Sequence, residues 1–136
     1  MNYMQIIDLS REVKSLKEEL IRLRRHFHRY PEAGSREVET ALFIAEYLKG
    51  LGLRVEEKVA GTGVCALLAG ATVGKTLLYR SDMDALQMNE ESDLPFRSTH
   101  QGLAHACGHD AHMAIALVTA RLFAEKKEKL RGRIRY

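Results

Sequence analysis

Residues 64–81 read VCALLAGATVGKTLLYRS. Two short apolar runs lie in this stretch, VCALLAG (64–70) and TLLYRS (76–81), and glycines bound them. Runs of that length suit strands buried on both faces of a sheet. Just upstream, LRVEEKV (53–59) alternates as a half-buried strand, and GTG (61–63) supplies the turn after it.

Helical patterns lie on both sides of these runs. Ile6, Leu9, Val13, Leu16, Leu20, Leu23 and Phe27 recur at spacings of three and four, which predicts one long helix. Asp8 or Ser10 is placed to cap it, and Pro31 ends it. PEAGS (31–35) breaks the chain, with Ser35 a plausible N-cap for a second helix bearing Val38, Ala41, Leu42, Ala45 and Leu48. Gly50 and Gly52 stop that helix. From Asp82 to about His105 the pattern lapses into a polar loop, and loops of that length are more often functional than idle. Asp110 then caps a third helix through Met113, Leu117, Ala120 and Phe123, and GRIRY (132–136) opens another strand. Helices alternating with apolar strands imply an α/β sandwich, and the expected form is an incomplete three-layer one with a mostly parallel sheet and flanking helices.

The composition, 46% hydrophobic and 29% charged over 136 residues, is that of a globular domain and argues against disorder. No apolar run approaches the ~20 residues of a membrane span, and the first residues lack a signal-peptide core, so a cytoplasmic protein without membrane partners is expected. The net charge of +3 does not imply nucleic acid, because bases mostly alternate with acids, as in REVKSLKEEL. Two cysteines, Cys65 and Cys107, are too few for a disulfide framework and leave thiols for metal or chemistry.

One of those thiols sits in HACGHDAHM (105–113), with three histidines and an aspartate. Thiolate sulfur and imidazole nitrogen are preferred donors for zinc and its first-row neighbours. On an extended backbone, Cys107 and His109 leave on the same side, about 6.5–7 Å apart at Cα. Gly108 between them adds no bulk and tolerates unusual dihedrals. The plain alternative is a structural cysteine beside a capping histidine, and a lone C-x-H pair favours that alternative. A second cluster, RSDMDAL (80–86), places Asp82 and Asp84 directly after a strand, where ligands of α/β sheets gather. These carboxylates either ligate or orient a metal, or merely turn the chain. His26 and His28, in HFHRYPE, read as structural residues at a helix end, and His100 as an exposed loop residue.

LRRHFHRYPE, GTGVCALL, RSDMDAL and HACGHDAHM, in this order, resemble the start of an amidohydrolase of the aminoacylase/carboxypeptidase metallopeptidase family. The branch is that of hippurate hydrolases, N-acyl-amino-acid amidohydrolases and indole-acetyl amino-acid hydrolases. The likeness runs from about Leu23 to Tyr136 and implies a two-metal catalytic domain interrupted by a lid or dimerisation domain. Cys107 and His109 would be metal ligands and Asp84 the orienting carboxylate, with Asp82, Asp110 and His112 as supporting candidates. The cofactors implied are two divalent ions (zinc, manganese, cobalt or nickel), and the substrate is an N-acyl amino acid or small peptide. The family's glutamate pair, one a general base and one a ligand, falls beyond Tyr136. Residues 1–136 are therefore expected to be the N-terminal part of the catalytic metal-binding domain, inactive alone and prone to self-association through a last strand without its neighbour. The branch usually has Ala at Ser81 and Pro at Gln87, which bears on loop shape and substrate choice. The rival expectation is a non-catalytic α/β interaction or oligomerisation module with a vestigial metal site.

Overall fold

The computed structural model describes residues 10–136. Ser10 caps α1 (Arg11–Ser15), its hydroxyl accepting from the Val13 N–H at 3.4 Å, while Asp8 lies outside the described residues. The expected single helix is broken: α2 (Lys17–Arg29) follows a turn at Leu16, where φ is −92° and ψ is 0°. The Ser15 hydroxyl donates to the Glu12 carbonyl at 2.7 Å, a local bond that competes with the helical ladder at the break. Leu16, Leu23 and Phe27 nonetheless stay buried, as the three-and-four spacing requires.

The second helix, α3 (Val38–Gly50), starts without Ser35, which lies in the left-handed region at φ 65°. Glu32 takes the capping role from outside the helix, its carboxylate accepting from the N–H groups of Glu39 (3.2 Å) and Thr40 (2.7 Å). The C-terminus is a Schellman motif around Gly52 at φ 79°: Leu53 N–H reaches the Leu48 carbonyl and Gly52 N–H reaches Lys49. Leu48 and Leu53 complete that motif by packing together in the core.

Among the described residues, four strands follow the order β1-β2-β4-β3, with β1 Arg54–Val59, β2 Gly63–Ala69, β3 Thr72–Leu78 and β4 Arg131–Arg135. Only β3 and β4 run parallel; β1–β2 and β2–β4 are antiparallel. The expectation of a mostly parallel sheet is therefore corrected to a mixed one, because β1 and β2 form a hairpin and β4 returns against it. The parallel pair is joined through α4 (His109–Glu125), a β–α–β crossover.

Among the described residues the helices pack on one face of the sheet, as an incomplete three-layer sandwich leaves them. Ala66, Leu68 and Ile134 pack with Leu23, Phe27, Leu48, Met113 and Leu117 on the helical side. Arg131, Arg133 and Arg135 alternate outward on β4 and leave the other face open. Each fully buried Leu or Phe here contributes about 1.5–3 kcal/mol. Two strand expectations change accordingly. The apolar TLLYRS run is not buried on both faces: Leu77 and Leu78 are 60% and 69% exposed, because β3 is an edge strand. The last strand does not lack a neighbour, since β4 lies between β2 and β3.

Close approach of β3 and β4 depends on Gly132, at φ 91°. A Cβ there would stand 2.1 Å from the Lys75 carbonyl oxygen. Gly132→Ala should therefore destabilise the fold by about 2–4 kcal/mol, combining backbone strain with a clash that only strand separation relieves. Urea unfolding of the two proteins measures the difference.

Candidate metal centre

Short straps bring the two chemically interesting stretches together. Ala33 bridges Ala85, and the Ala85 N–H donates to the Glu32 carbonyl at 2.8 Å. Leu86 bridges Ala104 with both backbone bonds at 3.0 Å. The PEAGS turn thus buttresses the segment carrying Asp82 and Asp84, and that segment in turn holds the chain just before His105. Gly34 sits against Asp84, a Cβ there falling 3.7 Å from its side chain.

The Cys107–His109 segment is not extended as its spacing suggested. Gly108 takes φ 94°, ψ 9° as the N-cap of α4, so the chain turns between the two donors and His109 opens the helix. The Cys107 thiol is exposed and Cys65, on β2, is half-buried. His109 Nδ1 lies 2.8 Å from the Asp84 carbonyl oxygen and 3.1 Å from Asp84 Oδ1. Both are acceptors, so the proton belongs on Nδ1 and Nε2 keeps its lone pair. That Nε2 faces Asp82 Oδ2 at 3.9 Å, too far for a hydrogen bond. It is close to the widest span, about 4 Å, that two donors at ~2.0–2.2 Å from one ion can cover. The other Asp82 oxygen is held by Arg80 at 2.9 and 3.1 Å. His112 is exposed on the next turn of α4, its ring 6.3 Å from that of His109. In kind, this donor set suits zinc and its neighbours. In number it falls short: among the described residues no group of three or more His, Cys, Asp or Glu side chains converges to hold an ion.

Asp110 does not cap α4. It lies within the first turn, 1% exposed, and its Oδ2 accepts from His28 Nδ1 at 2.7 Å and Arg24 Nε at 2.9 Å. His28 Nε2 contacts Glu90 Oε1 at 3.0 Å, and Glu90 accepts further from the Ser92 hydroxyl and the Ser98 N–H. Phe96 covers the cluster, edge-on to His28 at 5.5 Å and under the guanidinium of Arg24 at 5.2 Å. His105 is 3% exposed, and burial pushes its imidazole below the usual histidine range. Neither of its ring nitrogens nor Asp110 Oδ1 has a partner among the described residues.

The structural reading of His28 and His26 holds in kind: His28 is locked in this cluster and His26 stacks on Phe43 at 4.2 Å. His100, although exposed, contacts the Pro31 carbonyl oxygen through Nδ1 at 2.7 Å. Arg24 and Glu90 went unnoticed in the sequence. Each looks like one more charge on a polar face or loop, and only the three-dimensional packing pairs them across α2, α4 and the loop.

Residues 78–136 match the model of peptidase family M20/M25/M40. The chain is 42% identical to the N-acetyl-L-cysteine deacetylase of Bacillus subtilis over 90% of its own length and 30% of the relative's. To the N-acyl-L-amino acid amidohydrolase of Geobacillus stearothermophilus it is 39% identical, covering 95% of this chain and 35% of that one. The chain thus spans about a third of the length of these curated relatives. Among solved structures, it is similar to the YXEP protein of Bacillus subtilis, described as a dinuclear metal binding peptidase. There the TM-score is 0.84 at 36% identity, covering 90% of this chain and 35% of that chain.

The Glu90 carboxyl sets an acid limit on the cluster. Burial alone would raise its pKa, but Ser92, the Ser98 N–H and His28 together outweigh burial and bring it from 4.5 down to about 2. The folded value lies below the unfolded one, so the unfolded chain holds the extra proton between them. The resulting stabilisation is complete above about pH 4.5 and is lost as pH falls toward 2. The urea-midpoint gap between the native chain and Glu90→Gln should therefore be wide at pH 6 and clearly narrower at pH 3.

Proposed function

We propose, from a chain whose residues 78–136 match the model of peptidase family M20/M25/M40, that the described residues form the N-terminal, metal-binding part of a catalytic domain. The whole protein would hydrolyse the amide of an N-acyl amino acid or small peptide. The observation that carries this reading is the His109 ring, tied through Nδ1 to the Asp84 carbonyl and presenting Nε2 toward Asp82, with the exposed Cys107 thiol two residues away in sequence. The activities named for the relatives agree with it.

In this reading Cys107 and His109 hold metal, and zinc, manganese, cobalt or nickel all accept such donors. Two divalent ions bound in the complete site would polarise the scissile carbonyl and supply a water acidic enough to attack it near neutral pH. The chain's own residues set the stage. Asp84 orients His109 through both its carbonyl and its carboxylate, which directs that carboxylate at the ring and away from a reacting water. Asp82, paired with Arg80 through its other oxygen, faces the Nε2 edge of the His109 ring. His112 stands one turn on, within reach of a supporting role. Unpaired Cys65 and Cys107 suit a reducing compartment, and we place the protein in the cytoplasm.

Cobalt gives the direct test. The chain loaded with cobalt should show thiolate-to-metal absorption that Cys107→Ser abolishes and Cys65→Ser leaves in place. Uptake should weaken as pH falls through the histidine range, because both ligands bind without their protons. Zinc-loaded chain should release no benzoate from hippurate above the Cys107→Ser background, because two protein donors do not complete a catalytic site that usually needs three. A chain that takes up no metal would favour the non-catalytic interaction module instead.

The open edge of β3 is where we propose self-association. Val73 and Leu77 are 91% and 60% exposed on a strand that has one free hydrogen-bonding side among the described residues. Sedimentation at high concentration should show species heavier than a monomer, and Val73→Lys with Leu77→Lys should restore the monomer.

A further inference from the structure

His109 and Asp110 are neighbours in sequence with opposite surroundings. His109 faces the candidate metal centre, half-buried; Asp110 points back into the protein at 1% exposure. Its Oδ2 receives both His28 and Arg24 from α2, and His28 passes the contact on to Glu90 in the loop. This ionic cluster is not what joins α4 to α2. Leu23, Phe27, Met113 and Leu117 already pack the two helices in the common core. Nor does it serve as a cap, for no side chain among the described residues caps the α4 N-terminus. Desolvating charges of this kind brings little or no net stability over an apolar contact of the same shape. What directional charge pairs bring is a defined orientation, and they do so here at the one turn that carries His109.

We propose that His28 is a positioning residue for the metal-ligand pair: through Asp110 it fixes the first turn of α4, and with it the stance of His109 and of Cys107 across Gly108. This rests on the reading of Cys107 and His109 as ligands. Arg24 holds the same oxygen from the solvent side, and Glu90 holds His28 from behind. A second polar tie between the same helices provides an internal control. Glu19 on α2 accepts from Tyr47 on α3 and from Arg121 on α4, well along the helix from the candidate centre.

The test uses two readouts on the full chain. One is cobalt affinity, followed by its Cys107-dependent absorption. The other is the tautomer of His109 without metal, read by ¹⁵N resonances of the imidazole. His28→Asn should lower cobalt affinity by about 10- to 100-fold, the usual loss when a partner behind a ligand is removed. It should also convert His109 from the single Nδ1–H form to a mixture. Glu19→Gln should leave both readouts at the native values whatever stability it loses. Should His28→Asn fail to fold, Arg24→Met, at a part-exposed site, takes its place with the same expectations at smaller amplitude. Native readouts in the His28 and Arg24 variants, or equal shifts in Glu19→Gln, would overturn the proposal. If the native chain shows no Cys107-dependent band, the ligand reading fails by itself. The tautomer comparison then still decides whether His28 orients His109.

Discussion

A carboxylate sealed at 1% exposure has to be met by donors, and the way Asp110 is met organises the functional end of this protein. Its two partners come from α2, one turn apart at Arg24 and His28, so α2 and α4 are held in register as well as in contact. Apolar packing alone tolerates sliding, since Leu and Met side chains repack at modest cost. Two short bonds to one oxygen do not. The same cluster extends through Glu90 into the loop that follows Asp84, so helix register and loop course are fixed by one network.

That loop explains why so long an irregular stretch stays ordered. It is pinned at Ala85 by the Glu32 carbonyl, at Leu86 by Ala104, at Glu90 by His28 and at Thr99 by the Arg29 carbonyl. Apart from the Leu86–Ala104 bridge, which closes the loop on itself, each pin lands on the end of α2 or the turn after it. HFHRYPE is therefore a scaffold for the loop: His28 takes its acid, Pro31 and Glu32 take its backbone and His100, and Glu32 still caps α3 with its carboxylate. One turn thereby couples α2, α3 and the segment bearing Asp82 and Asp84.

How much of this was legible follows from which forces are local. The three-and-four spacing of Leu16, Leu23 and Phe27 reports burial directly, with Leu20 partly buried between them, and it holds although the helix breaks at Leu16. The paired-glycine stop after α3 was readable because only a left-handed Gly52 closes that motif. The strand order was not readable. Leu77 and Leu78 signal an apolar environment, but what covers a strand depends on its neighbours, and β3 has only one here. The capping of α3 by Glu32 and not Ser35 was equally hidden, since it needs the chain to double back through a left-handed residue. At the site, residue types revealed Cys107, His109, Asp82 and Asp84 as a chemical set. The pairing of Asp110 with His28, 82 positions away, left no trace at that distance.

The division of labour at His109 is the last step. Its ring is oriented by a backbone carbonyl at 2.8 Å, with the Asp84 carboxylate as a second acceptor at 3.1 Å. A carbonyl carries no net charge and is not titrated away as a carboxylate can be, so it favours the Nδ1–H tautomer of the neutral ring. The nearby carboxylate adds negative charge behind the ring, which strengthens Nε2 as a donor toward a cation. The two acceptors belong to the same residue, on a segment tied to the α2–α3 turn through Ala85. His109 itself begins a helix whose first turn is anchored to α2 through Asp110. Ring and acceptor are thus mounted on separate elements that meet at α2. The aim of Nε2 consequently depends on residues that touch neither the ring nor anything it would bind.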